Sequence, residues 1–133
     1  DPSVVNLLDA TPFIPVIAPI GIGEDFKTYN INADIVAGKI AKILQAGKYV
    51  VLTNTTGIFD DNGNLIKSMN AEQVRQLVNK GIISSGMLPK VESALEAVSA
   101  GVQNVQIIDG TIDHAILLEL FTDEGVGTMI RRT

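Results

Sequence analysis

The fold this sequence predicts is a three-layer α/β domain, with a mainly parallel sheet covered by helices on both faces. Three observations predict it. Residues 48–53 and 105–108 are short β-branched runs of the kind buried on both faces of a parallel sheet, not the alternating kind that keeps one face in water. Segments of ten or more residues with helical apolar spacing, 33–45 and 89–100, alternate with them. No repeat, linker or low-complexity tract divides the 133 residues, so a single domain is expected.

In order along the chain, Asp1-Pro2 reads as an N-cap and first helical residue, with Val4, Val5, Leu7 and Leu8 as the buried side of a short helix. A chain starting on a helix cap suggests part of a longer one. Phe13 to Ile20 is an apolar run of strand length whose prolines, Pro15 and Pro19, suit its ends or a sheet edge. Gly21-Ile22-Gly23-Glu24-Asp25 turns the chain; two glycines spaced by one residue are weak evidence for a phosphate loop and are more often a plain turn. The helix at 33–45 carries Ile35, Val36, Ile40, Ile43 and Leu44 on one face and stops at Gly47, with Asn32 as its natural N-cap. Asn30 and Asp34 beside that cap have side chains suited equally to a turn or to a cleft.

The strand at 48–53 ends in the loop Asn54-Thr55-Thr56-Gly57-Ile58. Ligands of parallel α/β sheets sit beyond the carboxyl ends of strands, so this loop is a candidate site lining. Asp60-Asp61-Asn62-Gly63-Asn64 resembles a calcium loop only superficially and reads as a hairpin turn on Asn62-Gly63. Asn70-Ala71-Glu72-Gln73 forms a capping box for a helix through residue 79, with Val74, Leu77 and Val78 inward. Pro89 then suits the first position of a helix striped by Met87, Leu88, Val91, Leu95 and Val98. Lys90 falls in its first turn, facing the positive end of the helix dipole. That placement is unfavourable unless an anion is close, so it reads either as half of a phosphate site or as a solvated lysine paired with Glu92 or Glu96. After the strand at 105–108, Asp113 can cap a helix carrying Ile116, Leu117 and Leu120, and a Gly-containing loop leads to a last strand at Met129-Ile130.

Composition narrows the function. With 46% hydrophobic and 19% charged residues the chain is built to bury a core. Its net charge of −5, with ten scattered Lys and Arg, argues against a nucleic-acid surface, although a small phosphorylated ligand needs only one or two lysines and some backbone N–H groups. No apolar run reaches the roughly 18–20 residues of a membrane span. Zero cysteines remove disulfides, thiolate metal sites and thiol nucleophiles, and fit a cytoplasmic location; one histidine, His114, disfavours a His-rich metal site.

Five blocks together carry a resemblance: Phe13-Ile-Pro-Val-Ile-Ala-Pro-Ile20, Tyr29-Asn-Ile-Asn-Ala-Asp34, Leu52-Thr-Asn-Thr-Thr-Gly57, Gly86-Met-Leu-Pro-Lys90 and Leu117-Leu-Glu-Leu-Phe-Thr-Asp-Glu-Gly-Val-Gly-Thr128. In order and over nearly the whole chain, they resemble the acetylglutamate kinases of the amino-acid kinase family. The resemblance implies the family's carbamate-kinase-like αβα fold and transfer of the γ-phosphoryl group of ATP, which brings Mg²⁺ with it, to the side-chain carboxylate of N-acetyl-L-glutamate in arginine biosynthesis, releasing ADP. It implies Lys90 as transition-state stabiliser and Asp34 as the carboxylate orienting catalytic lysines. Asn30 and Asn32 fall where acetylglutamate is bound. Thr53, Asn54, Thr55, Thr56, Gly57, Ile58 and Phe59, with Ile82, Ile83, Ser84, Gly86 and Lys90, match the nucleotide segments, although Asn54 stands where many members have Asp. The last block resembles the arginine-sensitive branch, which implies L-arginine as inhibitor near His114, Glu124, Gly125 and Gly127. A homo-oligomer is compatible with all of this.

Members of the family are longer, and their N-terminal part carries a lysine, a Gly-Gly phosphate loop and most of the acylamino-acid pocket. Residues 1–133 are therefore expected to be the nucleotide-binding C-terminal half, with the substrate-binding half absent and little activity alone. The alternatives are a non-catalytic nucleotide- or arginine-binding module and a sibling kinase acting on glutamate, aspartate or carbamate.

Overall fold

The computed structural model describes residues 1–122 and 125–132. Four strands form the central sheet: β3 (Lys48–Thr53), β4 (Ser68–Asn70), β5 (Asn104–Asp109) and β6 (Thr128–Arg131), in the order β3-β5-β6-β4. β3 runs parallel to β5 and β4 parallel to β6, while β5 and β6 are antiparallel. The mainly parallel α/β architecture expected from the sequence is thus present. Over one face lie α2 (Ala33–Ile43) on β3, α4 (Leu88–Ser99) on β5 and β6, and α3 (Ala71–Asn79) on β4. Their core joins Tyr49, Val51, Val105, Ile107 and Ile130 of the sheet to Val74, Val91, Ala94, Ala97 and Val98 of the helices. On the opposite face α5 (Ala115–Phe121) meets the sheet through Glu119, which is bonded to Lys48 of β3.

Local chemistry explains most elements. Asn70 and Gln73 close a reciprocal capping box at α3, as expected. The Asn62-Gly63 turn forms, with the Asp60 carboxylate accepting from the Asn62 and Asn64 N–H groups and Phe59 bridging Leu65. A single 3₁₀ turn, Ser85–Met87, precedes α4, so Pro89 occupies the second helical position, one later than expected.

Several expectations fail. Residues 13–18 form no strand; only Ile20–Ile22 (β1) pairs, in a hairpin with Thr28–Asn30 (β2), and Ile14 and Val16 are about nine-tenths exposed. Prolines 15 and 19 offer no N–H to a ladder, and only the Pro19 carbonyl, accepting from Ile31 N–H at 2.8 Å, extends the hairpin toward them. The opening helix α1 (Ser3–Asp9) exists, but none of its residues is buried, Val4 and Leu7 included. In α2 the residues that meet α4 are small: Gly38 and Ala41 are buried, whereas Ile35 and Ile43 are half exposed. A Cβ on Gly38 would lie 3.0 Å from the Ser93 Cβ, so a closer helix crossing replaces the bulky stripe. Asp113 does not cap α5, which begins after His114 in the left-handed region, φ 60°. Its inward residues are Ala115 and Glu119, leaving Ile116, Leu117 and Leu120 outside, because the Glu119 bonds fix that face inward.

Candidate functional site

β3 and β5 end together, Thr53 opposite Asp109, and Gly110 N–H returns to the Thr53 carbonyl at 2.8 Å. α2 and α4 each lead back into the strand that follows them, which brings their N-termini to this same carboxyl rim. There the two helices present Asp34 and Lys90, 56 residues apart in sequence. Lys90 Nζ donates to Asp34 Oδ2 at 3.0 Å, with each side chain one-fifth exposed. Lys90 is therefore not unmatched. Nor is its partner Glu92 or Glu96: Glu96 holds Lys39 and Lys42 instead. Asp34 thereby offsets the cost of a cation in a first helical turn.

A cavity of about 300 Å³ opens between the loop after β3 and the segment before α4. Thr55, Gly57, Ile58, Phe59, Ile82, Ile83 and Ser84 all line it, together with Asp60 and Met87. Thr53, Asn54, Thr56, Gly86 and Lys90, also matched to the nucleotide segments, are not among its lining residues. The loop is anchored from below: the Ile58 N–H donates to the fully buried Thr128 Oγ1 at 2.8 Å. The sequence places Met87 in a helix stripe, Asp60 in a turn and Thr128 in a motif block, and none of the three at the site. Hydrogen bonds from Asn64, backbone and side chain, and from Asn62 and Gly63 hold the Asp60 carboxyl below its ordinary value, so it stays charged at the cavity mouth.

Asn32 spends its side-chain oxygen on the α2 cap, accepting from Asp34 N at 2.9 Å and Ile35 N at 3.3 Å, which leaves only its amide nitrogen for another partner. Asn30 ends β2, exposed, opposite Ile20.

A second cavity, about 240 Å³, lies on the α5 face between Lys67, Ser68, Gln106, Glu119, Gly125, Gly127 and Met129. Glu119 is buried, bonded to Lys48 at 2.8 Å and to the Val126 N–H at 3.0 Å. Gln106 donates to the Val126 carbonyl at 2.8 Å, while its own buried Oε1 has no partner among the described residues. Gly125 and Gly127 thus gather with Glu119 and Gln106, and His114 does not line the cavity. Glu124 lies outside the described residues. A buried Glu and Gln in otherwise apolar elements were the available signal. A further cavity, about 450 Å³ between α2, Tyr49 and residues 15–19, is lined without a charged residue to hold a phosphate.

Among the described residues no three His, Cys, Asp or Glu side chains gather where they can hold a metal, and no helix is long and apolar enough to cross a membrane.

The model of the amino acid kinase family matches residues 2–109, and the chain belongs to that family. Within it the similarity is to acetylglutamate kinases, as the five blocks implied. The chain is 57% identical over 131 residues to acetylglutamate kinase from Nitrosomonas eutropha, a match covering 98% of this chain and 44% of that protein. It superimposes with a TM-score of 0.92 and 32% identity on the N-acetylglutamate synthase of Neisseria gonorrhoeae solved with coenzyme A and L-arginine, over all of this chain and 31% of that one. The carbamate kinase of Giardia lamblia bound to AMP-PNP shares the fold, with a TM-score of 0.65 and 20% identity over 84% of this chain and 36% of that one. The chain spans less than half the length of the curated relative it matches.

Proposed function

We propose that this chain holds the nucleotide in an acetylglutamate kinase, a phosphotransferase moving the γ-phosphoryl group of ATP to the side-chain carboxylate of N-acetyl-L-glutamate. The observation that carries the reading is the 300 Å³ cavity lined by seven of the residues matched to the nucleotide segments, at the same rim as the Asp34–Lys90 pair. The acceptor carboxylate is already ionised at neutral pH, so no general base is required and none is assigned. The work left to the protein is to hold two anions in line and offset the charge on the group in transit. Lys90 does the second, with Asp34 fixing where its ammonium sits; Asn30 and the Asn32 amide orient the acceptor. Mg²⁺ is carried by the polyphosphate. Phosphoryl transfer is assigned to the full-length protein, and the 133 residues alone are expected to bind nucleotide with little turnover.

Replacing Lys90 with Ala in the full-length protein tests this. A fall in kcat of at least ~10²-fold is expected, comparable to loss of one preorganised electrostatic stabiliser, with ATP affinity much less affected. Unchanged turnover removes Lys90 from the mechanism, and calorimetry detecting no ATP or ADP binding ends the nucleotide reading.

A second reading concerns arginine. Glu119 and Gln106 both line this cavity together with Gly125 and Gly127, and a carboxylate and an amide beside a glycine turn suit a guanidinium. Its carboxylate is then Glu119, in place of the Glu124 expected from the sequence. L-arginine at 100 times its Kd adds about 2.7 kcal/mol to stability, so a melt that moves with arginine but not with citrulline supports it. A melt indifferent to arginine leaves the cavity without that role.

A further inference from the structure

We propose that Tyr49 is a positioning residue for the Asp34–Lys90 pair. The proposal rests on the reading of those two residues as the charged pair of the phosphoryl-transfer site. Tyr49 lies on β3 with its ring in the core, and its hydroxyl reaches the crossing of α2 and α4. It lies 3.2 Å from Ser93 Oγ and 3.4 Å from the Asp34 carbonyl oxygen. The two hydroxyls bring two hydrogens to these contacts: with the Ser93 hydrogen on the Lys90 carbonyl at 2.9 Å the phenol donates to Ser93, and with the Ser93 hydrogen on the phenol oxygen the phenol donates to the Asp34 carbonyl. One phenol on the strand thereby ties the backbone of Asp34 and, through Ser93, the backbone of Lys90.

The crossing has no slack. One helical turn beyond Asp34, Gly38 meets Ser93 so closely that a Cβ would stand 3.0 Å from the Ser93 Cβ and 3.2 Å from its carbonyl oxygen. The Gly38–Ser93 contact sets how near the helices come, and the Tyr49 hydroxyl sets how their first turns sit relative to the strand. The Asp34–Lys90 separation at the rim follows from both. Buried hydrogen-bond chains of this kind hold geometry because an unpaired member is costly.

Tyr49→Phe in the full-length protein removes only the hydroxyl. Two readouts are taken: the rate at which an N-hydroxysuccinimide ester acetylates Lys90, followed by mass spectrometry, and kcat against KM for ATP. Severalfold faster acetylation of Lys90 is expected, with kcat lowered about 10-fold and KM for ATP within about twofold, since sub-ångström misplacement acts on the reacting geometry. A folded Tyr49→Phe protein whose Lys90 acetylation and kcat both match the parent overturns the proposal. If Tyr49→Phe does not fold, Ser93→Ala breaks the same chain and is read the same way. If the parent itself shows no kinase turnover, the functional reading fails, and the Lys90 acetylation rate still decides the positioning role.

Discussion

Beneath α2, α3 and α4 the sheet presents Tyr49, Val51, Val105, Ile107 and Ile130 to a core whose polar groups are hydroxyls; across the sheet, α5 presses a carboxylate onto Lys48 beside the amide of Gln106. The first face is held by apolar area, which is non-directional and tolerates neither voids nor charge. The second depends on particular partners, because a buried carboxylate or amide without them is penalised. The difference has a functional counterpart. The dry face fixes the frame on which Asp34 and Lys90 stand, and the polar face leaves an acceptor unspent beside a cavity.

The comparison breaks most visibly at Ile107, fully buried on the dry side. Ile107→Ala is expected to cost about 4 kcal/mol in urea unfolding, through lost transfer energy and the cavity left behind. Leu117→Ala on the outer side of α5, where the side chain is half exposed, should cost less than about 1 kcal/mol. Equal costs would mean that α5 is packed as tightly as α4. Next comes Gly127, where the strand β6 begins. Its φ is +85°, and a Cβ would stand 2.0 Å from the Ile107 carbonyl oxygen, so Gly127→Ala must push β6 off β5. A loss of about 3 kcal/mol is expected, and a neutral result would show that the loop relaxes freely.

On the polar face Glu119→Ala should cost about 2 kcal/mol, less than a deeply buried pair loses, because Lys48 is one-third exposed and can turn to water. The Val126 N–H is left without its acceptor, so Glu119→Gln, which keeps an oxygen there, should recover part of the loss. A Glu119→Ala protein as stable as the parent would make α5 an adornment of the sheet instead of a layer of it.

What the residues disclosed beforehand follows the same division. The strands expected at 48–53 and 105–108, the capping box at Asn70 and the turn at Asn62-Gly63 are written locally, in β-branched runs and short-range polar pairs, and they are found there, the second strand one residue longer at each end. The loop at 54–58 is reached from its place after a parallel strand and the rest of the cavity lining through the likeness to acetylglutamate kinases, and the structure gathers seven of those residues. The Asp34–Lys90 bond joins residues 56 apart, and the Thr128 anchor under Ile58 joins residues 70 apart. No local pattern encodes either distance. The stripes of α1 and α5 mislead for a related reason: spacing shows that one side of a helix is apolar, whereas which side turns inward is decided by a partner such as Lys48. At residues 13–18 the apolar character is real, but without an N–H at Pro15 and without a strand paired to them they form no ladder.

The smallest effect, absent at neutral pH, concerns the one dry-face group that titrates. Burial pushes the Tyr49 phenol above its ordinary 10.0; the Ser93 hydrogen bond pulls part of the way back and the nearby Asp34 charge adds to the rise. Because the folded protein holds this proton more tightly than the unfolded chain, the phenol's contribution to stability is complete below pH 10.0. It is lost as the pH rises through the folded value, where the unfolded chain has already released its proton. Denaturant midpoints measured from pH 9 upward should therefore fall more steeply for the parent than for Tyr49→Phe, which has no phenol to ionise. Parallel slopes would mean that water reaches the Tyr49 hydroxyl at the α2–α4 crossing, and that this face is less dry at its rim than at Ile107.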